Sequence, residues 1–155
     1  MGDRAFERTI IRDTPERIFD VITDYAAYPN WANNVKEVTI ERTDEDGRAG
    51  LVSYRAAAMG RSAAYVLEYF YGTNPLRVSW RLAEGDLVRR LDGRYVLVPL
   101  DDDGAGPRTE VTYELEVEIS MPMSGFLRRR AESRILRNAL EDLRAFVEEG
   151  SAVTS

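Results

Sequence analysis

The chain contains no cysteine and no histidine in its 155 residues. Without cysteine there is no disulfide, no thiol nucleophile and no thiolate metal site. Without histidine the usual general base near neutral pH and the commonest metal ligand are both missing. No metal and no cofactor is therefore expected, and no catalytic residue stands out. Lysine is nearly absent too: Lys36 is the one lysine among 21 basic residues, the rest being arginine. That skew reads as compositional bias rather than phosphate recognition. No run of eighteen apolar residues occurs, so no membrane-spanning helix is expected. The first residues, Met1 to Arg8, lack an apolar signal core, which leads to the expectation of a cytoplasmic protein. A net charge of −6 argues against a broad nucleic-acid surface. Phosphate-binding loop, dinucleotide fingerprint and serine-nucleophile elbow are all absent.

What is present begins with a long amphipathic pattern at the end of the chain. Leu127, Ala131, Ile135, Ala139, Leu140, Leu143, Phe146 and Val147 recur at spacings of three and four, the mark of one helical face. The pattern predicts a helix from Ser124 to Glu149, about 39 Å long at 1.5 Å per residue. Ser124 is its expected N-cap, after a proline-broken stretch Met121-Pro122-Met123, and Gly150 its expected stop. Upstream, Phe6 to Arg12 reads as a strand. Thr14-Pro15-Glu16 then starts a helix carrying Ile18, Val21 and Ile22. Tyr25 to Asn34 reads as a second short helix or turn, broken from the first by Pro29.

Strands follow at Val35–Thr43, Leu51–Met59, Ser62–Tyr71 and around Val78-Ser79-Trp80-Arg81-Leu82. Leu87–Leu100 reads as one strand bent at Gly93. The last, from Val111 to Ile119, alternates apolar residues with Thr112, Glu114, Glu116 and Glu118, so one face meets a core and the other water. Turns are marked by Asp44 to Gly47, Gly60-Arg61 and Gly72 to Pro75; Asp101 to Pro107 reads as a polar, mobile loop. The layout is α+β: strand, two short helices, a run of antiparallel strands, one long helix. A sheet this long will curl, and the helix can lie in the curl. One domain over residues 1–150 is expected, with 151–155 a disordered tail.

Thr14-Pro15-Glu16-Arg17-Ile18-Phe19-Asp20-Val21-Ile22-Thr23-Asp24, followed by Tyr28-Pro29-Asn30-Trp31, resembles the N-terminal signature of the polyketide cyclase/dehydrase and lipid-transport family. This is a branch of the START-like, or Bet v 1-like (SRPBCC), superfamily. The resemblance continues through Val78 to Leu82 and Thr109 to Tyr113 to the last helix. It implies a helix-grip fold: about seven curved strands wrapped around the C-terminal helix, with an apolar cavity between them. It also implies a role among binders and carriers of lipids, polyketides, quinones or hormones, or among aromatase/cyclases. Some members resemble ribosome-association proteins.

Three groups of residues carry the functional expectations. Tyr65, Leu67, Tyr69, Val78, Trp80, Leu82, Tyr95, Leu97, Val111, Tyr113 and Leu115, with Ile135 and Ala139 from the helix, would line a small-molecule pocket with a few hydroxyl donors, or would simply fill a core. The register of Ser62–Tyr71 decides this, because a slip of one residue exchanges Tyr65, Leu67, Tyr69 and Tyr71 for Val66, Glu68 and Phe70. Arg55 and Arg89 are likewise inside or outside by register. An inward arginine beside a tyrosine would suit a dehydrase or cyclase, polarising and protonating a ligand carbonyl. Third, Arg128, Arg129 and Arg130, with Arg134 and Arg137, oppose the dipole at the start of the helix. They would face an anionic head group, an acidic membrane surface or a protein partner, or would pair with Glu132 and Glu141. The acidic run Asp101 to Asp103 lacks the spacing of a calcium loop and reads as solvated.

Overall fold

The computed structural model describes residues 4–153 apart from 59–60 and 121–123. The turn expected at Gly60, the break at Met121 to Met123 and the end of the tail, 154–155, lie outside the described residues. Strand β1 (Arg4–Ile11) leads into helix α1 (Pro15–Thr23). Thr14 is extended at the N-cap, and its side chain accepts from Arg17 N–H, which satisfies one of the free donors of the first turn. Asp13 holds this corner. It is buried, pairs with Arg17 at 2.8 Å, and its carbonyl accepts from the Thr109 hydroxyl at 2.8 Å. A short 3₁₀ turn (Tyr25–Ala27) and a single-turn helix α2 (Tyr28–Trp31) complete the N-terminal cap.

Six strands follow: β2 (Val35–Thr43), β3 (Ala49–Ala58), β4 (Arg61–Thr73), β5 (Leu76–Gly85), β6 (Val88–Pro99) and β7 (Thr109–Ile119). With β1 they form one antiparallel sheet of seven strands in the order β1-β7-β6-β5-β4-β3-β2. The first two strands, β1 and β2, thus become the two edges, and β1 pairs with β7 with Thr9 opposite Val111. β7 keeps the expected alternation: Val111, Tyr113, Leu115 and Val117 are buried, while Thr112, Glu114 and Glu116 are partly exposed.

The outer face carries cross-strand ion pairs. Glu68 meets Arg81 at 2.8 Å and Arg42 at 3.6 Å, and Arg90 meets Glu116 at 3.2 Å. Pairs this exposed contribute little stability, but they fix which face is out. Glu68 therefore points away from the core, and Tyr65, Leu67 and Tyr69 point in. Arg55, paired to Glu37 at 3.5 Å, and Arg89 are exposed, so neither of them is an inward strand arginine.

Helix α3 (Gly125–Val153) has 29 residues, about 44 Å. Ser124 Oγ accepts from Leu127 N–H at 3.2 Å, the expected cap. The helix runs through Gly150 to Val153, so Gly150 does not end it and the first residues of the expected tail are helical. Its buried positions are Glu132, Leu136, Leu140, Leu143 and Val147. Against expectation Leu127 and Phe146 are exposed, and Leu136, one residue from the expected stripe, is fully buried. The helix lies chiefly against β1 and β7, and its core seam is the stripe that faces those strands. No described helix is apolar and long enough to cross a membrane. The 101–107 loop is tied down: Asp103 pairs with Arg12 at 2.9 Å, and Asp102 accepts from Gly104 N–H at 2.7 Å.

Candidate functional site

Because α3 rests on the β1–β7 side, it stands off the middle of the sheet. The inward faces of β3 to β7, the N-terminal cap and the first half of α3 therefore enclose a cavity of about 1150 Å³. Small side chains keep it open: Ala56 and Ala63 from the sheet face Ala131 and Ala139 from the helix across it. Interiors otherwise pack densely, so small side chains on both the sheet and the helix wall leave space that no neighbour fills.

The walls are aromatic. Ring centroids run from Tyr25 to Tyr69 (4.3 Å), Tyr69 to Trp80 (5.9 Å), Trp80 to Tyr95 (5.6 Å) and Tyr95 to Tyr113 (4.4 Å). Tilted and edge contacts at these distances are the favoured arrangements of aromatic pairs. Trp80 packs closely on Gly93, its cross-strand partner. A Cβ on Gly93 would stand 2.6 Å from the Trp80 ring and 2.6 Å from the Glu114 carbonyl. The β5–β6 ladder ends at this pair, and beyond it the Asp92 carboxylate accepts from Leu82 N–H at 3.0 Å. The bend expected at Gly93 is thus the place where the two strands part.

The hydroxyls divide into committed and uncommitted groups. Tyr71 donates to Ala49 O at 2.6 Å, so in its 2.9 Å contact with Tyr25 the donor is Tyr25. Tyr28 donates to Ile22 O. Tyr54 and Tyr69 share one hydrogen bond, which leaves one of their two protons over. Tyr65, Tyr95 and Tyr113 bond to no other described residue. Among the described residues the cavity thus holds four phenolic donors without a protein acceptor. Burial pushes the Tyr65 phenol up to about 12 and those of Tyr69, Tyr95 and Tyr113 well above their ordinary value. Desolvation penalises the phenolate, so these groups stay protonated and act as donors rather than bases.

Residues 12–144 match the family model for polyketide cyclase / dehydrase and lipid transport. The chain belongs to this family. Among solved structures it is similar to a START superfamily protein from Mycobacterium smegmatis, with a TM-score of 0.86, 23% identity, and coverage of 96% of this chain and 99% of that one. It is also similar to the Zhui aromatase/cyclase from Streptomyces sp. R1128, with a TM-score of 0.78, 14% identity, and coverage of 100% and 97%. Ginseng major latex-like protein 151 from Panax ginseng gives a TM-score of 0.69 at 15% identity, covering 94% and 97%. At these identities the likeness is one of fold, the helix grip of the START-like superfamily. No curated protein sequence matches this one significantly.

In this polyketide cyclase/dehydrase and lipid-transport family member, Tyr65, Leu67, Tyr69, Val78, Trp80, Tyr95, Tyr113, Leu115, Ile135 and Ala139 stand on the cavity wall. Leu82, Leu97 and Val111 do not. Leu97 and Val111 are wholly buried and paired across β6 and β7 at the end of the sheet covered by the N-terminal helices and the C-terminal half of α3, where packing is complete. Leu82 lies past the point where β5 and β6 separate. Sequence reading missed Tyr25, Tyr28, Trp31 and Tyr54 as wall residues. The aromatic doublet Tyr28/Trp31 was visible as a motif, but only its docking against Tyr54 and Phe146 aims it at the cavity. Arg129, Arg130, Arg134 and Arg137 stand on the same boundary from α3. Among the described residues, no group of three or more acidic side chains is placed to hold a metal.

Proposed function

We propose that this protein binds, and in one version carries, a hydrophobic or amphipathic small molecule such as a lipid, quinone or polyketide in the cavity between the sheet and α3. The observation behind this reading is the cavity itself: about 1150 Å³, with aromatic walls and four uncommitted phenolic donors. Small-molecule sites are typically about 300–1,000 Å³, mostly apolar, with a few placed polar groups, and the space here accommodates a multi-ring or long-chain ligand. Burying apolar area at roughly 25 cal/mol per Å² gives affinity without any catalytic group.

Native mass spectrometry of gently purified protein is expected to show a one-to-one adduct that is lost on denaturation. Ala139→Trp places a ring in the space facing the sheet and should abolish the adduct while circular dichroism stays native. Absence of an adduct, together with no binding of any hydrophobic probe, would overturn the reading.

A second reading is an aromatase/cyclase or dehydrase. It is favoured by the family match and by the protonated phenols, which can donate to a developing enolate oxygen. Aldol closure also needs a base, and the carboxylates on the cavity boundary, Glu141 and Asp142, lie at the helix end of the rim; Asp142 is already bonded to Asn33. Turnover of a poly-β-keto substrate above the uncatalysed rate, lost in Tyr113→Phe, would move the assignment to an enzyme.

A further inference from the structure

The rim of the cavity differs in charge from its walls. Arg130, Arg134 and Arg137 are spaced by four and three along α3, which puts them on one helical stripe, and all three border the cavity. The strand arginines Arg42, Arg55, Arg81, Arg90 and Arg94 each face a carboxylate. Among the described residues Arg130, Arg134 and Arg137 face none; Arg130 lies over the Phe126 ring at 5.7 Å. The first turn of α3 contains no acid. Next to them Phe126 and Leu127 are 61% and 54% exposed. A protein of net charge −6 thus concentrates unpaired positive charge along one side of the opening of an apolar cavity. Glu141 continues the stripe at its far end, which confines the positive section to the stretch from Arg130 to Arg137.

We infer that the ligand is amphipathic and anionic: its apolar body occupies the aromatic cavity, and a terminal oxyanion, carboxylate or phosphate, is held at the rim by Arg130, Arg134 and Arg137. The inference rests on the cavity reading above. Guanidinium groups present forked donors that match carboxylate and phosphate oxygens, and three of them span about 10 Å along the helix, the width of one head group with room to adjust. Such exposed contacts are salt-sensitive.

A matched pair of fluorescent probes separates the two layers of the argument. N-phenyl-1-naphthylamine is neutral; 1-anilinonaphthalene-8-sulfonate has the same skeleton with an added sulfonate. The anionic probe is expected to bind more tightly, and the triple variant Arg130→Gln, Arg134→Gln, Arg137→Gln should weaken it about fivefold to tenfold while the neutral probe is unaffected. High salt should erode the same difference. If the neutral probe binds but the variant treats both probes alike, the anion site is wrong and the cavity stands. If neither probe binds, both fall. Competition with dodecanoate, dodecyl phosphate and dodecanol then sorts the source of the oxyanion. Either anion should displace the probe better than the alcohol, and equal displacement by all three would also overturn the inference.

Discussion

At the scale of single residues, the pair Trp80 and Gly93 shows how one missing side chain shapes the site. Trp80 occupies the space a Cβ on Gly93 would need, and the Glu114 carbonyl closes the other side. Gly93→Ala forces either the indole or the β6–β7 ladder to move. Overpacking of this kind costs about 1–3 kcal/mol, so a lower urea midpoint and a shifted tryptophan emission are expected; an unchanged emission spectrum would show that the ring does not lie over Gly93. The identity of both residues is plain in the sequence. Their apposition is not, because it depends on a cross-strand register that links positions thirteen apart.

At the scale of elements, α3 uses two faces for two purposes. Leu136, Leu140, Leu143 and Val147 are buried against the sheet, while Ala131, Ile135 and Ala139 border the cavity. Truncation should separate these roles. Leu136→Ala removes a fully buried side chain and should cost about 2–5 kcal/mol, read as a fall in the denaturant midpoint. Ile135→Ala, on the cavity side, already adjoins empty space and should cost clearly less. Equal losses would mean that α3 is packed on both faces and the cavity is closed. Neighbouring apolar residues such as Ile135 and Leu136 satisfy a helical period equally well, so periodicity alone could not say which of them meets the strands.

At the scale of the whole molecule, the buried tyrosines couple the fold to pH. In the unfolded chain each phenol titrates near its ordinary value, about 10. In the folded chain burial raises Tyr65 to about 12 and Tyr28, Tyr54, Tyr69, Tyr95 and Tyr113 well above 10. Above pH 10 the unfolded state therefore holds fewer protons than the folded state, and stability must fall as pH rises. Stability should show no phenol-dependent change up to about pH 9. Beyond that, urea midpoints should drop steeply, and the phenolate absorbance at 295 nm should rise together with unfolding. Full titration near pH 10 in a still-folded protein would contradict the burial.

The order of elements, the inward alternation of β7, the Thr14 and Ser124 caps and the family signature follow from the sequence itself, because they depend on local spacing and on backbone donors within one turn. Strand register, and with it the inward turn of Tyr65 and Tyr69 and the outward turn of Glu68, needed the neighbouring strands and their ion pairs. The cavity needed more still. It exists because α3 docks on β1 and β7 and leaves the alanines of β3, β4 and α3 facing one another, and a space between elements is a property of their mutual placement that no single stretch of chain encodes.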